Sequence, residues 1–502
     1  MTNTYILALD QGTSSSRAVL FDRTGQAIHQ VSQAFPQHYP QPGWVEHDPA
    51  DLWQSQRTAA QQVLRQAGVQ PTQVAALGVT NQRETTLMWD RESGAPIYPA
   101  IVWQCRRTAP LVESLRAQGW EAEIQQRTGL ALDAYFSATK VQWLLDNVPG
   151  ARARALQGKL AFGTVDTWLL YQLSDGTLHC TDYSNAARTM LYNIHTCSWD
   201  TEILRALDIP ASLLPEVRDS SGVFGITAAE HFDGVRLAIG GVIGDQQGAL
   251  FGQACFTPGS VKNTYGTGSF VLMHSGARPM TAAPGLLCTI AWGLNGCPTY
   301  ALEGSIFSTG SAVQWLRDEL QIIRSAAESE ALASSVPDTQ GVYFVPAFTG
   351  LGAPYWDMYA RGMLIGLTRS TSRAHIVRAA LEAMAYQTCD VINRMIAVAG
   401  VPVSVLRVDG GGAVNNFAMQ FQSDMLQVPV QRPQVVETTA LGAAYMAGLA
   451  VGYWESQDQL AANWHLERTY TPQMSVDRRD RLYRGWQEAA RRSRGWATEI
   501  VT

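Results

Sequence analysis

Short apolar runs broken by glycine and small hydroxyl residues recur along this chain, and each reads as a buried strand feeding a turn. Tyr5-Ile-Leu-Ala-Leu9 runs into the cluster Asp10-Gln-Gly-Thr-Ser-Ser-Ser16. The apolar Arg17-Ala-Val-Leu-Phe21 follows, then a second turn at Asp22-Arg-Thr-Gly25. This predicts a β-hairpin with small polar residues at its tip. Val74-Ala-Ala-Leu-Gly-Val79 predicts another buried strand, ending in Thr80-Asn-Gln-Arg-Glu84. The same style returns later. Leu237-Ala-Ile-Gly-Gly-Val-Ile243 ends at Gly244-Asp245, and Ser260-Val-Lys-Asn-Thr-Tyr265 leads through Gly266-Thr-Gly-Ser269 into Phe270-Val-Leu-Met273. The repetition hints at internal duplication. An apolar strand from Val405 runs into Gly410-Gly-Gly412 and then a predicted helix. Ser372 to Ala399 reads as a helix, with Ile376, Ala380, Met384 and Val391 at or near helical spacing. Gly400 caps it and Pro402 prevents its return.

At 502 residues the chain exceeds the roughly 250–300 at which one core stops growing. Two domains with a cleft between them are expected, divided as 1–250 and 251–502. Charged residues are 16%, below the ~25% of an average domain, so a disordered chain is excluded. The net charge is −6 and no basic stripe stands out, so no nucleic-acid partner is expected. The seven cysteines are scattered and never spaced as C-x-x-C, which suits reduced thiols in a cytoplasmic protein. Met1 to Asp10 lacks the basic region of a signal peptide. No apolar stretch approaches the ~18 residues of a membrane span.

The common catalytic motifs are missing. The only Gly-Lys pair, Gly158-Lys159, precedes Leu160, so there is no Walker loop, and no H-E-x-x-H, EF-hand or G-x-S-x-G occurs. Three glycine turns remain. A hairpin tip around Gly12 can point backbone N–H groups at a phosphate, with Thr13, Ser14 and Ser15 adding hydroxyls and Arg17 a cation. Asp10 can hold Mg²⁺ through water. Glycines on either side of Thr267 permit close approach of backbone to a ligand. The Gly410-Gly-Gly412 run opens a strand–glycine–helix turn. Taken singly, the first two read equally well as an ordinary turn or bulge, and the third reads better as one.

Together the three turns resemble those of the actin/hexokinase-type ATPase superfamily. That resemblance implies an α/β fold of two ribonuclease H-like domains with ATP in the interdomain cleft. Tyr135-Phe-Ser-Ala-Thr-Lys-Val-Gln-Trp-Leu-Leu-Asp-Asn147 resembles the first signature of the FGGY carbohydrate kinases. Gly362-Met-Leu-Ile-Gly-Leu367, continuing through His375-Ile-Val-Arg-Ala-Ala-Leu-Glu382, resembles the second. Thr80–Thr85, Ala100–Arg107, Phe162–Trp168, Gly244–Gln247 and Pro346–Trp356 look like the members of that family that phosphorylate glycerol.

The resemblance implies transfer of a phosphoryl group from ATP to glycerol, giving sn-glycerol 3-phosphate and ADP, with Mg²⁺, in a homodimer or homotetramer. It implies that Arg83, Glu84, Trp103, Tyr135, Asp245, Gln246 and Phe270 bind glycerol. These types suit a polyol, whose hydroxyls both donate and accept and whose carbons need apolar cover. Asp245 is the expected general base and, with Asp10, a metal ligand. Thr13, Ser14, Ser15, Arg17, Thr267, Gly310, Gln314, Gly411 and Asn415 are expected on the nucleotide side. Gly-Gly-Gly-Ala-Val-Asn replaces the more usual Gly-Gly-Ala-Val-Ala-Asn, with the spacing to Asn415 kept. Glu230 stands in a loop that in some relatives serves inhibition by fructose 1,6-bisphosphate, and is not expected to support it. His231-Phe resembles the loop of relatives activated by a phosphotransferase-system protein, so His231 is a candidate regulatory site; an ordinary surface histidine is the competing reading. Two other functions compete: a sibling kinase for another polyol or a ketose, and an actin-like nucleotide switch, which needs no polyol residues.

Overall fold

Two mixed sheets of matching topology carry the chain in this computed structural model, which describes residues 4–280 and 284–498. The expected hairpin forms: Tyr5–Gln11 pairs antiparallel with Ser15–Phe21, which pairs antiparallel with Ala27–Ala34. On its other side Tyr5–Gln11 runs parallel to Val74–Asn81, which runs parallel to Ala238–Gly244. Ser221–Ile226 closes that edge. The second sheet repeats the plan. Val261–Tyr265 and Ser269–Gly276 form the hairpin, followed by Cys297–Ile306 and Leu287–Leu294. Leu406–Asp409 runs parallel beside Val261–Tyr265, and Val430–Pro433 runs parallel beside Leu406–Asp409. The duplicated style of the sequence is therefore a duplicated sheet, the two-domain α/β plan expected.

Helices cover the sheets as their patterns dictate. Pro49–Ala67 starts with Asp48 accepting from the Ala50 N–H at 2.8 Å and a proline in the first turn. It stops at Gly68 in the left-handed region, φ 67°. Leu52, Ala59, Ala60, Val63 and Leu64 form its buried stripe against the first sheet. Arg373–Ala399 ends at Gly400, φ 66°, as its sequence predicts, and is buried along nearly its whole length.

The helix Thr438–Ala450 lies late in sequence yet packs on the first sheet and on helix Asp245–Gly252. Glycines make this possible by removing side chains where backbones meet. A Cβ on Gly442 would lie 1.9 Å from the Gly248 carbonyl oxygen, and one on Gly78 would lie 2.2 Å from that of Ala443. Strand ends, hairpin tips and this helix start thereby converge between the sheets. No helix among the described residues is long and apolar enough to cross a membrane.

Candidate active site

The three glycine turns meet at that junction. At the first, the Gly12 N–H donates to the Ser15 carbonyl at 3.0 Å, closing the tip. At the second, the Thr267 carbonyl accepts from Thr309 N at 3.0 Å and Ser311 N at 2.9 Å. The Gly266 carbonyl accepts from Gly310 N at 3.1 Å, which ties helix Gly310–Asp318 to the turn. Only glycine suits position 310, because a Cβ there would meet the Gly266 oxygen at 2.4 Å. The third run is locked to the second hairpin: Gly410 has φ 80° and its Cβ would lie 2.6 Å from the Tyr265 oxygen. Asn415 caps helix Asn416–Leu426 by accepting from Ala418 N at 2.9 Å, and donates to Ser329 Oγ at 3.3 Å. Ser14, Thr267, Gln314 and Gly411 are exposed.

Arg83 and Glu84 follow directly on strand Val74–Asn81 and are buried, each 2% exposed. Arg83 Nε sits 3.1 Å from Asp245 Oδ1 and 3.7 Å from Glu84 Oε1. Its two Nη atoms donate to Glu303 at 2.6 and 2.9 Å, and Nη1 also donates to Gln247 Oε1 at 3.1 Å. Arg188 Nε donates to Glu84 Oε1 at 2.8 Å, and its Nη2 donates to Glu303 at 3.2 Å. Burial pulls the Arg83 guanidinium down, but Glu303, Glu84 and Asp245 more than offset it and hold it well above the usual arginine range. Glu303 is the mirror case. Burial pushes its carboxyl up, yet Arg188 and Arg83 hold it down at about 2.

Asp245 opens helix Asp245–Gly252, with Oδ1 accepting from Gln246 N at 2.6 Å and the side chain 30% exposed. Burial raises its pKa, Arg83 opposing. Asp10, at the end of its strand, is pushed up to about 6, mainly by burial, with Arg17 opposing and Asp245 adding repulsion. The two carboxylates therefore feel one another, which is the setting a bound cation relieves. Mg²⁺ takes one or two carboxylates and keeps its waters, so the pair fits it. No cluster of three metal-ligating side chains occurs among the described residues.

Around this core the aromatic cover assembles. Trp103 and Tyr135 meet edge to face at 5.4 Å, and Trp103 Nε1 donates to Thr13 Oγ1 at 3.0 Å, joining the first turn to the pocket. Burial, then Glu84, pushes the Tyr135 phenol far up, so it stays protonated. Lys262 donates to Gln246 Oε1 at 2.5 Å and to the Phe270 carbonyl at 3.2 Å. Lys140 donates to the carbonyls of Tyr135, Phe136 and Glu84 at 2.5, 3.3 and 3.4 Å, clamping two pocket segments together.

Two sequence expectations need adjustment. Arg17 is not a free cation, because it pairs with Glu437 at the start of helix Thr438–Ala450. His231 is not a surface histidine. It is 5% exposed, its ring lies edge to face with Trp53 at 5.0 Å, and Nε2 donates to the Gln172 carbonyl at 3.1 Å. Sequence reasoning missed Glu303, Arg188, Lys262 and Gln82. Gln82 Nε2 donates to the Gly12 carbonyl at 3.1 Å and its Oε1 accepts from Thr85, bracing the first turn against Arg83. One signal was available: Glu303 and Lys262 are lone charges within strand-like runs, and such charges are buried only when paired.

Residues 5–252 match the N-terminal domain of the FGGY family of carbohydrate kinases, and residues 261–451 match its C-terminal domain. The glycerol kinase of Symbiobacterium thermophilum is 60% identical over 499 residues, covering 99% of this chain and 100% of that protein. Glycerol kinase 2 of Thermotoga maritima is 59% identical over 492 residues, covering 98% and 99%. Plasmodium falciparum glycerol kinase, solved with ADP, superposes with a TM-score of 0.92 at 36% identity, covering 98% of each chain. Xylulose kinase of Lactobacillus acidophilus shares the fold, with a TM-score of 0.86 at 20% identity over 98% and 99%.

Proposed function

The chain belongs to the FGGY family of carbohydrate kinases, and we propose that within it the protein transfers the γ-phosphoryl group of ATP to a terminal hydroxyl of glycerol, giving sn-glycerol 3-phosphate. The observation that carries this reading is the buried pair Arg83 and Glu84 with the partly exposed Asp245 and Tyr135 under Trp103, beside three turns open to a nucleotide. A nucleotide switch has no use for it.

The hydroxyls of glycerol find mixed partners here. Arg83 and protonated Tyr135 donate, while Glu84 and Asp245 accept. Trp103 and Phe270 cover the carbons. Asp245 lies in reach of the same guanidinium edge as Glu84, so a hydroxyl held there can hand it a proton as the new P–O bond forms. Gln246, fixed by Lys262, continues that wall. On the nucleotide side, the N–H groups of the turns at Gly12 and Thr267, with Ser14, Ser15 and an Arg17 that has exchanged Glu437 for a phosphate oxygen, neutralise the phosphates. Gly310, Gln314, Gly411 and Asn415 line the approach of the nucleoside. Asp10 and Asp245 would hold Mg²⁺, which when bound supplies charge neutralisation for the phosphoryl group. Closure around both substrates keeps water from competing as acceptor.

The remaining parts of the proposal are a cytoplasmic protein, a homodimer or homotetramer, and control by phosphorylation of His231. Phosphorylation by a phosphotransferase-system protein first has to bring the buried ring into the open. The deciding experiment is coupled ADP release with Mg-ATP, comparing glycerol, dihydroxyacetone, xylulose, ribulose and no acceptor, with product identification. Stimulation by glycerol with glycerol 3-phosphate formed is the expected result. Stimulation by a ketose alone refutes the substrate, and turnover indifferent to acceptor refutes the kinase.

A further inference from the structure

Glu303 sits in the interior of strand Cys297–Ile306, paired with Leu272 on one side and Leu287 on the other, with zero exposure. A carboxylate in such a strand is costly unless its charge is matched and its lone pairs are filled. Here they are. Glu303 takes both Nη atoms of Arg83 in a bidentate grip and one N–H from Arg188. Two residues along the strand, Ser305 stands opposite Phe270, so Glu303, Ser305 and Phe270 share a face of the sheet, the one turned to the pocket.

The grip crosses the molecule. Glu303 belongs to the second sheet, whereas Arg83 and Glu84 extend from a strand of the first. The charges alternate: Glu84, Arg188, Glu303, Arg83, Asp245. Arg188 occupies Glu84 Oε1, leaving Oε2 free of protein partners among the described residues. With both Nη atoms of Arg83 held from behind, its Nε edge is the part turned towards Asp245 and Glu84. Removing Glu303 frees that guanidinium to swing and leaves Arg188 half-matched.

We propose that Glu303 is a positioning residue for the acceptor substrate: from the second sheet it fixes Arg83 and Arg188, so that the groups gripping the polyol are in register only when the two sheets are apposed. This rests on the glycerol reading above. The Glu303 strand runs beside the second nucleotide turn, but the Glu303 side chain makes its hydrogen bonds to Arg83 and Arg188 alone among the described residues, so nucleotide affinity in the absence of polyol is expected to be independent of its charge.

The test uses the full chain and E303Q, which keeps shape and loses charge. The glycerol KM is expected to rise about 10–100-fold, the loss of a charge-assisted grip. At saturating glycerol kcat stays within about threefold, and ADP affinity measured without glycerol is unchanged. A lower unfolding midpoint with an unchanged glycerol KM overturns the proposal, because a merely structural carboxylate behaves that way. If E303Q does not fold, E303D replaces it, keeping the charge one methylene short. A raised glycerol KM with unchanged ADP affinity then supports the proposal and an unchanged KM overturns it. A wild type that takes a different polyol refutes the glycerol reading alone, and the KM for that polyol then decides about Glu303. A wild type that takes no acceptor refutes both.

Discussion

Replacing Asp245 by Asn separates the role of its charge from the role of its shape. The amide retains one carbonyl oxygen, which can still accept from Gln246 N, now 2.6 Å from Oδ1, so helix Asp245–Gly252 keeps its start. Arg83 stays ionised, because Glu303 holds it bidentately and Glu84 lies 3.7 Å from Nε. The glycerol grip is therefore largely intact, and KM for glycerol should change by less than about tenfold, ~1.4 kcal/mol. What disappears is the proton acceptor. Loss of a positioned general base costs on the order of 10²–10⁴ in rate, or about 2.7–5.5 kcal/mol of transition-state stabilisation. The assay is coupled ADP release at saturating glycerol and Mg-ATP, with ADP affinity read separately. Wild-type kcat should fall on acidification through a pKa raised above the ordinary aspartate value, since the raised group must lose its proton to act. The Asn variant should show a changed acid limb, the one left by Asp10, whose pKa is raised to about 6. A kcat within threefold of wild type, or an unchanged acid limb, refutes Asp245 as base.

Arg83→Ala should raise the glycerol KM far more than the ATP KM, and should also destabilise by about 3–5 kcal/mol, because it leaves Glu303 buried with Arg188 as its remaining ion-pair partner; unchanged glycerol KM counts against the grip. Gly442→Ala should lower the unfolding midpoint by ~1–3 kcal/mol equivalent, because the new Cβ would lie 1.9 Å from the Gly248 oxygen and backbone cannot rotate away; a midpoint equal to wild type refutes the close approach. Asp166, buried and bonded by Thr164 and Thr181, has its pKa raised to about 7, chiefly by burial. The folded state then holds a proton that the unfolded chain releases near 3.8, so this group's contribution is full below that pH and is lost as pH rises towards 7. Asp166→Asn should gain on wild type by on the order of 3 kcal/mol between pH 5 and pH 8; a pH-independent difference in denaturant unfolding refutes the burial cost.

What the sequence determined by itself was everything local. Alternation of apolar runs with Gly12, Gly266, Gly268 and Gly410 marks strands and tight turns, because strand period and turn chemistry are properties of neighbouring residues; of the four only Gly410 takes a positive φ. The helix at Arg373–Ala399, with Gly400 as its stop, is legible for the same reason. The resemblance of short motifs added which turns belong together and which residues face the acceptor. Tertiary structure decided the rest. Glu303 lies 220 residues from Arg83, and no periodicity links them; only the apposition of two sheets makes a lone strand carboxylate the partner of a loop arginine. Arg17 finds Glu437 at a separation of 420 residues because helix Thr438–Ala450 returns to the first sheet, a route opened by glycines at 78, 248 and 442 whose close approaches only the folded chain shows. His231, read from the sequence as a candidate regulatory site or else an ordinary surface histidine, is buried against Trp53, since burial depends on what the rest of the chain lays over a position. Pattern sets what each segment can become, and long-range packing, which no local window contains, sets what it touches.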